Sequence, residues 1–368
     1  MKKGFSLLFL STLITSSMMI FSGCNKGDTR VQIHFGEYVG EEISNITNLP
    51  KLTYNDLSSK ILNQETFMLA IYGEETCGCW SDYQPVLTEY VNDTHQKIDY
   101  ISSYDFIGKE NTFGLYLVTS DLPSLAVFEQ GQLKIQSVYL RDDRLMFKSY
   151  TKFKEFVDKN VILPKMLYVE KDELDSLIAE DKEFNLYVAR SACGDCNAVK
   201  NDVLYDWSKN TIDVSDILYV FDIQSYYPIK PEKDDPKYEE KMIKYEIDLA
   251  TYLSIKDYYG LSDKNNPTFG YSSGSVPTFQ RRKGMEILDM IVVLNDNLDK
   301  ANKKVTSYFT EERVSHMKFL EGSSLNKTIL DGFELNDDQV ANWRVYRSQF
   351  NATYHYPIVR EFFKAYVK

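Results

Sequence analysis

Two cysteines two residues apart, Cys193 and Cys196, are the side chains of this 368-residue chain best suited to chemistry. They lie in the stretch Ser191-Ala192-Cys193-Gly194-Asp195-Cys196. A β-rich run, residues 184–188, leads into this stretch, and a helix-compatible run, residues 197–207, leads out of it. A cysteine pair at the joint between a strand and a helix is typical of dithiol–disulfide exchange.

The chemistry of such a pair requires a thiolate. Cys193 would begin the helix, where unpaired N–H groups and the helix dipole stabilise negative charge, so we expect it to attack a disulfide. Cys196, one turn into the helix, would then resolve the mixed disulfide. Asp195 lies between the two cysteines, and its negative charge raises the thiol pKa and so opposes the dipole.

A second close pair, Cys77 and Cys79, follows the pattern CxC rather than CxxC. One way of counting along the chain aligns Cys79 with Cys196. The other aligns Cys77 with Cys193 and puts Trp80 in the place of Cys196. A CxC disulfide closes a tight ring and is expected to be strained and readily reduced. This pair is therefore either a second redox site of different potential or a degenerate, structural copy.

Both cysteine pairs belong to an internal repeat. Leu49-Pro50-Lys51 recurs as Leu163-Pro164-Lys165, at an offset of 114 residues, and the strand that starts at Phe67 recurs at Phe184, at an offset of 117. Each landmark is followed by a helix-like stretch, a strand, a cysteine pair and a helix. A period this long predicts duplicated domains and not a solenoid.

The repeat continues beyond each cysteine pair. A β-rich run is followed by a strand that a proline precedes, Pro123 in the first copy and Pro277 in the second. A glycine turn, at Gly131 or Gly284, leads into a return strand, and strands joined by so short a turn pair antiparallel. Apolar residues at helical spacing over 145–161 predict a helix that closes the first copy.

This order of elements resembles the thioredoxin fold, and the resemblance covers about residues 49–368, less an insertion. It implies an α/β fold class: two tandem thioredoxin-like domains, each a mixed central sheet flanked by helices. It also implies that Cys193 and Cys196 are the active-site CxxC and that Pro277 is the cis-proline against that site. Pro123 takes the cis-proline position in the first copy.

The second copy departs from this family in its proton-handling residue. The buried acid expected six residues before the first cysteine is replaced by Tyr187, so proton transfer would need another group or water. The edge of the sheet beside Pro277 would receive an extended partner peptide. The implied partners are protein thiols or disulfides, or a redox partner protein.

The second copy is also longer. Cys193 and Pro277 are 84 residues apart, whereas Cys77 and Pro123 are only 46 apart. We assign the surplus to an insertion over about 225–270 that carries a long amphipathic helix, because an Asp-Pro helix start and apolar residues at helical spacing occur there. It is either an enlarged scaffold helix or a lid or partner-binding surface beside the cysteines.

The N-terminus resembles a bacterial lipoprotein signal. Two lysines precede an apolar stretch over 5–21, and small residues lie directly before Cys24. The resemblance implies cleavage of residues 1–23, a lipid on Cys24, and a tether over 24–47. A retained transmembrane helix and an ordinary secretory signal that leaves Cys24 as a thiol are the alternatives. The lipid would anchor the protein to the outer face of the bacterial cell membrane, where disulfides persist.

Several function classes are excluded or disfavoured. The formal net charge of −12 repels phosphate backbones, so we expect no nucleic-acid partner. The cysteine pairs lie 114 residues apart with no histidine close by, which disfavours a zinc site. The four histidines form no recognisable set, and no phosphate-binding loop or metalloprotease helix is present. We therefore expect neither a metal nor a cofactor.

The sequence thus predicts a membrane-anchored, extracytoplasmic thiol–disulfide oxidoreductase. A thioredoxin-like domain with the CxC pair would span 48–162, and a second domain, with the CxxC pair and the insertion, would span 163–368. The alternative is a non-catalytic surface lipoprotein that uses thioredoxin-like domains as a binding scaffold.

Overall fold

The repeat corresponds to two mixed sheets, each flanked by helices. The structure is a computed structural model, and it describes residues 29–73, 76–105, 108, 122–139, 144–210, 217–261, 278–292, 297–299, 304–306, 333–334 and 336–342.

The first unit contains a four-stranded sheet. Its elements in chain order are α1 (Tyr54–Leu62), β3 (Phe67–Tyr72), α2 (Gly78–Thr94), β4 (Asp99–Ser102), β5 (Ser124–Glu129), β6 (Gln132–Val138) and α3 (Tyr150–Asn160), with β1 and β2 preceding them at Val31–Gln32 and Phe35–Glu37. The strand order is β4-β3-β5-β6, with β4 parallel to β3 and the other pairs antiparallel. Every residue of β3 is buried, which explains why this central strand is apolar throughout.

The second unit repeats this arrangement and extends it. Its elements are β7 (Val161–Ile162), β8 (Met166–Tyr168), α4 (Lys171–Ala179), β9 (Glu183–Ala189), α5 (Gly194–Val199), α6 (Tyr205–Asn210), β10 (Leu218–Asp222), α7 (Tyr238–Tyr258), β11 (Thr278–Lys283) and β12 (Glu286–Val292). The strand order is β12-β11-β9-β10-β8-β2, with β8, β10 and β9 parallel and β11 and β12 antiparallel. The five strands β8 to β12 follow the thioredoxin order, so the predicted fold class of two tandem thioredoxin-like domains is confirmed.

A small third sheet lies further along the chain. It consists of β13 (Asn297–Asp299), β14 (Lys304–Thr306) and β15 (Phe333–Glu334), and a short helix, α8 (Asp337–Ala341), follows it.

The interpretation of residues 24–47 as a tether is wrong for the residues from 31 onward. Strand β1 pairs in parallel with β7, and β2 pairs in parallel with β8 at the edge of the second sheet. Val31 and Ile33 are buried in the core of the first unit, whereas Tyr38 is buried in that of the second. This short segment therefore joins both units through backbone pairing and apolar burial, which a solvated spacer does not do.

The insertion contains the predicted long helix, but the helix is only partly amphipathic. In the half of α7 nearer the cysteines, Tyr252, Ile255 and Lys256 are buried. In the other half, Ile243 and Ile247 are 64% and 62% exposed. Helical spacing of apolar residues therefore predicted the helix correctly but overstated how much of its length packs against described residues.

Some predicted features lie outside the described residues. They include the lipidation site Cys24, the proline Pro277 and part of the insertion (262–270). The closing helix of the first unit begins later than expected, at Tyr150, because a 3₁₀ turn occupies Arg144–Phe147. Among the described residues, no helix combines the length and hydropathy needed to cross a membrane.

Candidate redox site

Cys193 lies where strand β9 gives way to helix α5. Its backbone is extended, and it forms the N-cap of α5. The Cys193 Sγ accepts a hydrogen bond from the backbone N–H of Cys196 at 3.5 Å. Helix α5 passes through a π-helical turn, Lys200–Leu204, directly into α6, so this cap begins a run of 17 helical residues. The sulfur therefore faces the positive end of a long helical segment, as the sequence predicted.

Cys196 lies deeper than Cys193. Its side chain is 3% exposed, and that of Cys193 is half-buried; both cysteines are thiols in this structure. The Cys196 Sγ accepts a hydrogen bond from the backbone N–H of Arg190 at 3.4 Å. One accessible sulfur and one protected sulfur are what an attacking thiol and a resolving thiol require.

Tyr187 occupies the buried position beneath the two cysteines. Its ring stacks on Phe279 with centroids 4.5 Å apart, and its hydroxyl donates to the backbone carbonyl of Cys196 at 3.3 Å. Burial, followed by the charges of Cys196 and Cys193, holds the pKa of this phenol well above its usual value. Tyr187 is thus a neutral hydrogen-bond donor that cannot take up a proton during exchange.

The loop before Cys193 is held by polar contacts. The Asp222 carboxylate, at the end of β10, accepts the backbone N–H groups of Ser191 and Gln224 at 3.1 Å and 2.9 Å. The side chain of Asn197 donates to the carbonyl of Ser191 at 3.0 Å. These bonds fix the turn from β9 into α5 and hence the direction of the Cys193 side chain.

An arginine and two tyrosines that the sequence analysis missed lie beside the cysteines. The Arg190 guanidinium lies over the ring of Tyr227, 3.9 Å from its centroid. Tyr227 in turn makes an edge contact with Tyr252 of α7, with centroids 5.5 Å apart. Burial raises the pKa of Tyr252 to about 12; Arg190 lowers it, whereas Cys196 and Cys193 add to the increase.

Half of the inserted helix therefore contributes to the surroundings of the cysteine pair. The only sequence signal for this cluster was an arginine directly before the cysteine loop, because Tyr227 and Tyr252 are distant in sequence.

The structure of the first unit shows which of its two cysteines corresponds to Cys193. Cys77 is the N-cap of α2, as Cys193 is of α5, and it forms a disulfide with Cys79. Three residues after Cys77, Trp80 is 1% exposed and stacks on Tyr72 with centroids 4.3 Å apart. Cys77 thus corresponds to Cys193, and a buried tryptophan takes the place of Cys196.

The positions of Pro123 and Pro277 in the two units can be compared through the pairing of the strands that follow them. The Leu122–Pro123 peptide bond is cis, and the next residue, Ser124, pairs with Ile71 near the end of β3. In the second unit, Thr278 pairs with Val188 near the end of β9. The residue after each proline is therefore placed alike in the two sheets, close to the loop that carries the cysteines. Pro277 itself lies outside the described residues.

Among the residues that the structure describes, no three His, Cys, Asp or Glu side chains are grouped so that they could hold a metal ion. A cleft of about 1070 Å³ between the two units is lined by the first strands, by α1 and by residues near Lys200. Its lining residues include none of the four paired cysteines.

The sequence matches no protein-family model and no curated protein. Its fold is similar to solved structures at low identity. A yeast mitochondrial 1-Cys peroxiredoxin shares 17% identity, with 31% of this chain and 98% of that chain covered and a TM-score of 0.24. Human ERp44 shares 9% identity over 65% of this chain and 61% of that chain, with a TM-score of 0.28. The first two thioredoxin domains of Naumovozyma dairenensis Eps1p share 10% identity, with 67% of this chain and 91% of that chain covered and a TM-score of 0.22.

Proposed function

We propose that this protein is a thiol–disulfide oxidoreductase that exchanges disulfides with partner proteins at Cys193 and Cys196. The observation that carries the proposal is the arrangement of the two sulfurs: a half-buried Cys193 caps a helix and accepts a hydrogen bond from the backbone of a buried Cys196. The cap favours the thiolate, and the buried thiol is one helical turn away, positioned to resolve a mixed disulfide.

In the reducing direction, the Cys193 thiolate attacks one sulfur of a substrate disulfide. The substrate S–S bond breaks, and its second sulfur leaves as a thiolate that takes a proton from water. Cys196 gives its proton to water and attacks the Cys193 sulfur, which expels the first substrate sulfur. The protein is left with a Cys193–Cys196 disulfide, and two electrons have passed to the substrate; the oxidising direction is the reverse.

The proposal includes a lipid anchor and an extracytoplasmic location. The support is the N-terminal segment, which resembles a lipoprotein signal ending at Cys24. Replacement of Cys24 by alanine is expected to block processing or release the protein into the medium. An unchanged distribution between membrane and medium would contradict the anchor without touching the redox proposal.

A trapping experiment tests the exchange reaction. Cys196→Ser should leave covalent mixed disulfides between Cys193 and partner proteins, because the resolving thiol is gone, and Cys193→Ala should abolish both trapping and turnover of a model disulfide. A Cys77→Ala/Cys79→Ala double variant is the matched control, since it removes the other pair and should retain turnover. If Cys193→Ala matches the wild type in thiol reactivity and turnover, the proposal is wrong.

The binding-scaffold alternative applies best to the first unit. The buried Trp80 stands where a resolving cysteine would be, so this unit lacks the complete dithiol pattern. If it serves as a docking domain, the Cys77→Ala/Cys79→Ala variant keeps full turnover with a protein substrate as well as with a small one. Loss of turnover with both substrates would instead assign a redox step to Cys77 and Cys79.

A further inference from the structure

Two of the three guanidinium nitrogens of Arg190 are buried without a hydrogen-bond acceptor among the described residues. Its Nε and Nη1 atoms are shielded from solvent, and among the described residues no atom accepts a hydrogen bond from either. A buried cation without an anion is costly, and such groups in folded proteins are paired or bound to ligands. The contact with the Tyr227 ring, at 3.9 Å, supplies only part of the missing interaction.

The described side chains around Arg190 supply no acceptor for its two buried nitrogens. Tyr227, Tyr252 and Tyr187 are phenols, and burial raises the pKa of the latter two, so they stay neutral. The carboxylate of Asp222 accepts two backbone N–H groups through Oδ1 and forms no ion pair with Arg190 in the described part of the chain. Lys256, whose Nζ lies 5.6 Å from the Tyr252 ring centroid, is a second cation and adds positive charge to this cluster.

The backbone of Arg190 contacts the buried cysteine of the pair. The backbone N–H of Arg190 donates to the Cys196 sulfur at 3.4 Å. Tyr252 makes an edge contact with Tyr227, the ring that Arg190 covers. The charges of Arg190, Cys196 and Cys193 all act on the pKa of Tyr252.

We propose that the Arg190 guanidinium is the counter-ion of the reduced Cys193/Cys196 pair and makes this site a donor of disulfides to substrate dithiols. This inference rests on the oxidoreductase function proposed above and gives that reaction its direction. A positive charge near a thiol stabilises the thiolate and hence the reduced protein. A site whose reduced form is stabilised gives up its disulfide readily, because its reduction potential is higher.

The donor reaction balances without a further reagent. A substrate thiolate attacks the accessible Cys193 sulfur, the Cys193–Cys196 bond breaks, and Cys196 leaves as a thiolate, which the positive charge of Arg190 would stabilise. The second substrate thiol loses its proton to water and attacks the substrate sulfur of the mixed disulfide, expelling the Cys193 thiolate at the helix N-terminus. The substrate gains a disulfide and loses two electrons, and the protein gains them. A low-molecular-weight disulfide such as oxidised glutathione can then recharge the site.

Three variants test the inference: Arg190→Met removes the charge, Arg190→Lys keeps it, and Tyr227→Leu removes the ring but leaves the arginine. Two quantities are measured on each, namely the pH midpoint of thiol alkylation and the equilibrium constant of the Cys193–Cys196 disulfide against glutathione. A thermal melt of each variant establishes that it is folded, and Arg190→Gln replaces the methionine variant if that one is not.

For Arg190→Met we expect the alkylation midpoint to rise by about one pH unit. We expect its equilibrium to shift up to about tenfold toward the disulfide form, which corresponds to about 30 mV for a two-electron couple. Arg190→Lys should stay within about twofold of the wild type, and Tyr227→Leu should shift less than Arg190→Met.

Unchanged midpoint and equilibrium in Arg190→Met, or shifts of the opposite sign, would overturn the inference. A loss of stability with both redox quantities unchanged would also overturn it, because it would make Arg190 purely structural. If wild-type Cys193 and Cys196 form no reversible disulfide at all, the proposed function itself fails, and that outcome is distinct from the others.

Discussion

Tyr187 offers a sharp test of how protons move at this site. Tyr187→Phe keeps the buried ring and its stacking on Phe279 but removes the hydroxyl that donates to the Cys196 carbonyl at 3.3 Å. A phenol whose pKa lies well above its usual value cannot accept a proton from Cys196. We therefore expect the resolution step of Tyr187→Phe to proceed within about twofold of the wild-type rate, since general-base catalysis would contribute far more.

The effect on stability is expected to be small but measurable. A neutral hydrogen bond contributes about 1 kcal/mol, and the Cys196 carbonyl keeps a second donor, the backbone N–H of Lys200. The variant should therefore lose about 0.5–1 kcal/mol. For a domain of about 200 residues this lowers the melting temperature by about 1–4 °C.

Tyr187→Asp is the matched variant, because it introduces the carboxyl group that the tyrosine replaces. A carboxylate in this buried position should raise the pKa of Cys196 and accept its proton, so resolution should become faster at neutral pH.

The assay is single-turnover decay of a preformed mixed disulfide on Cys193, followed across neutral and alkaline pH. If Tyr187→Phe slows this decay about tenfold without a change in stability, the phenol takes part in proton transfer and the reasoning is wrong.

Three further variants probe the scaffold by urea unfolding, with Cys193→Ala as a control that should leave stability nearly unchanged. Gly131→Ala should cost about 2 kcal/mol, because φ is 73° there and an added Cβ would lie 2.3 Å from a backbone oxygen of α1; a neutral result would contradict the tight turn. Trp80→Ala should cost about 4 kcal/mol by opening a cavity in the first core, and a loss under about 1 kcal/mol would show that this ring is not packed as described. Lys60→Met should cost about 3 kcal/mol, because it leaves the buried carboxylate of Asp99 without its ion pair at 3.2 Å. Burial lowers the pKa of Lys60, but Asp99 and Glu65 together outweigh burial and raise this pKa above 10.5. The stability from Lys60 is therefore present below pH 10.5 and lost as pH rises through the folded value; a variant that matches the wild type throughout that range would refute the pairing.

The sequence pattern was sufficient for the order of elements. The repeat of Leu49-Pro50-Lys51 at Leu163-Pro164-Lys165, and apolar runs such as β3 and β9, are local signals that depend only on neighbouring residues. The glycine turn at Gly131 likewise predicted a hairpin, because only a few residues adopt positive φ at low cost.

Features that depend on distant contacts could not be predicted in this way. Strands β1 and β2 are two and three residues long, too short to show a period, and their partners lie about 130 residues away. The pairing of Arg190 with Tyr227, and of Tyr227 with Tyr252, likewise joins three separate elements. Whether Cys77 corresponds to Cys193 depended on the residue at which helix α2 begins. Spacing along the sequence left that residue open.

If Cys193 and Cys196 form the proposed redox pair, they exchange electrons together. The direct measurement equilibrates the Cys77→Ala/Cys79→Ala protein with glutathione buffers of graded potential, then labels the remaining thiols and weighs the intact protein. Both thiols should appear and disappear together, as a two-electron couple with no singly labelled species other than the glutathione adduct. Independent labelling of the two cysteines, or thiols that never pair across the range, would contradict it.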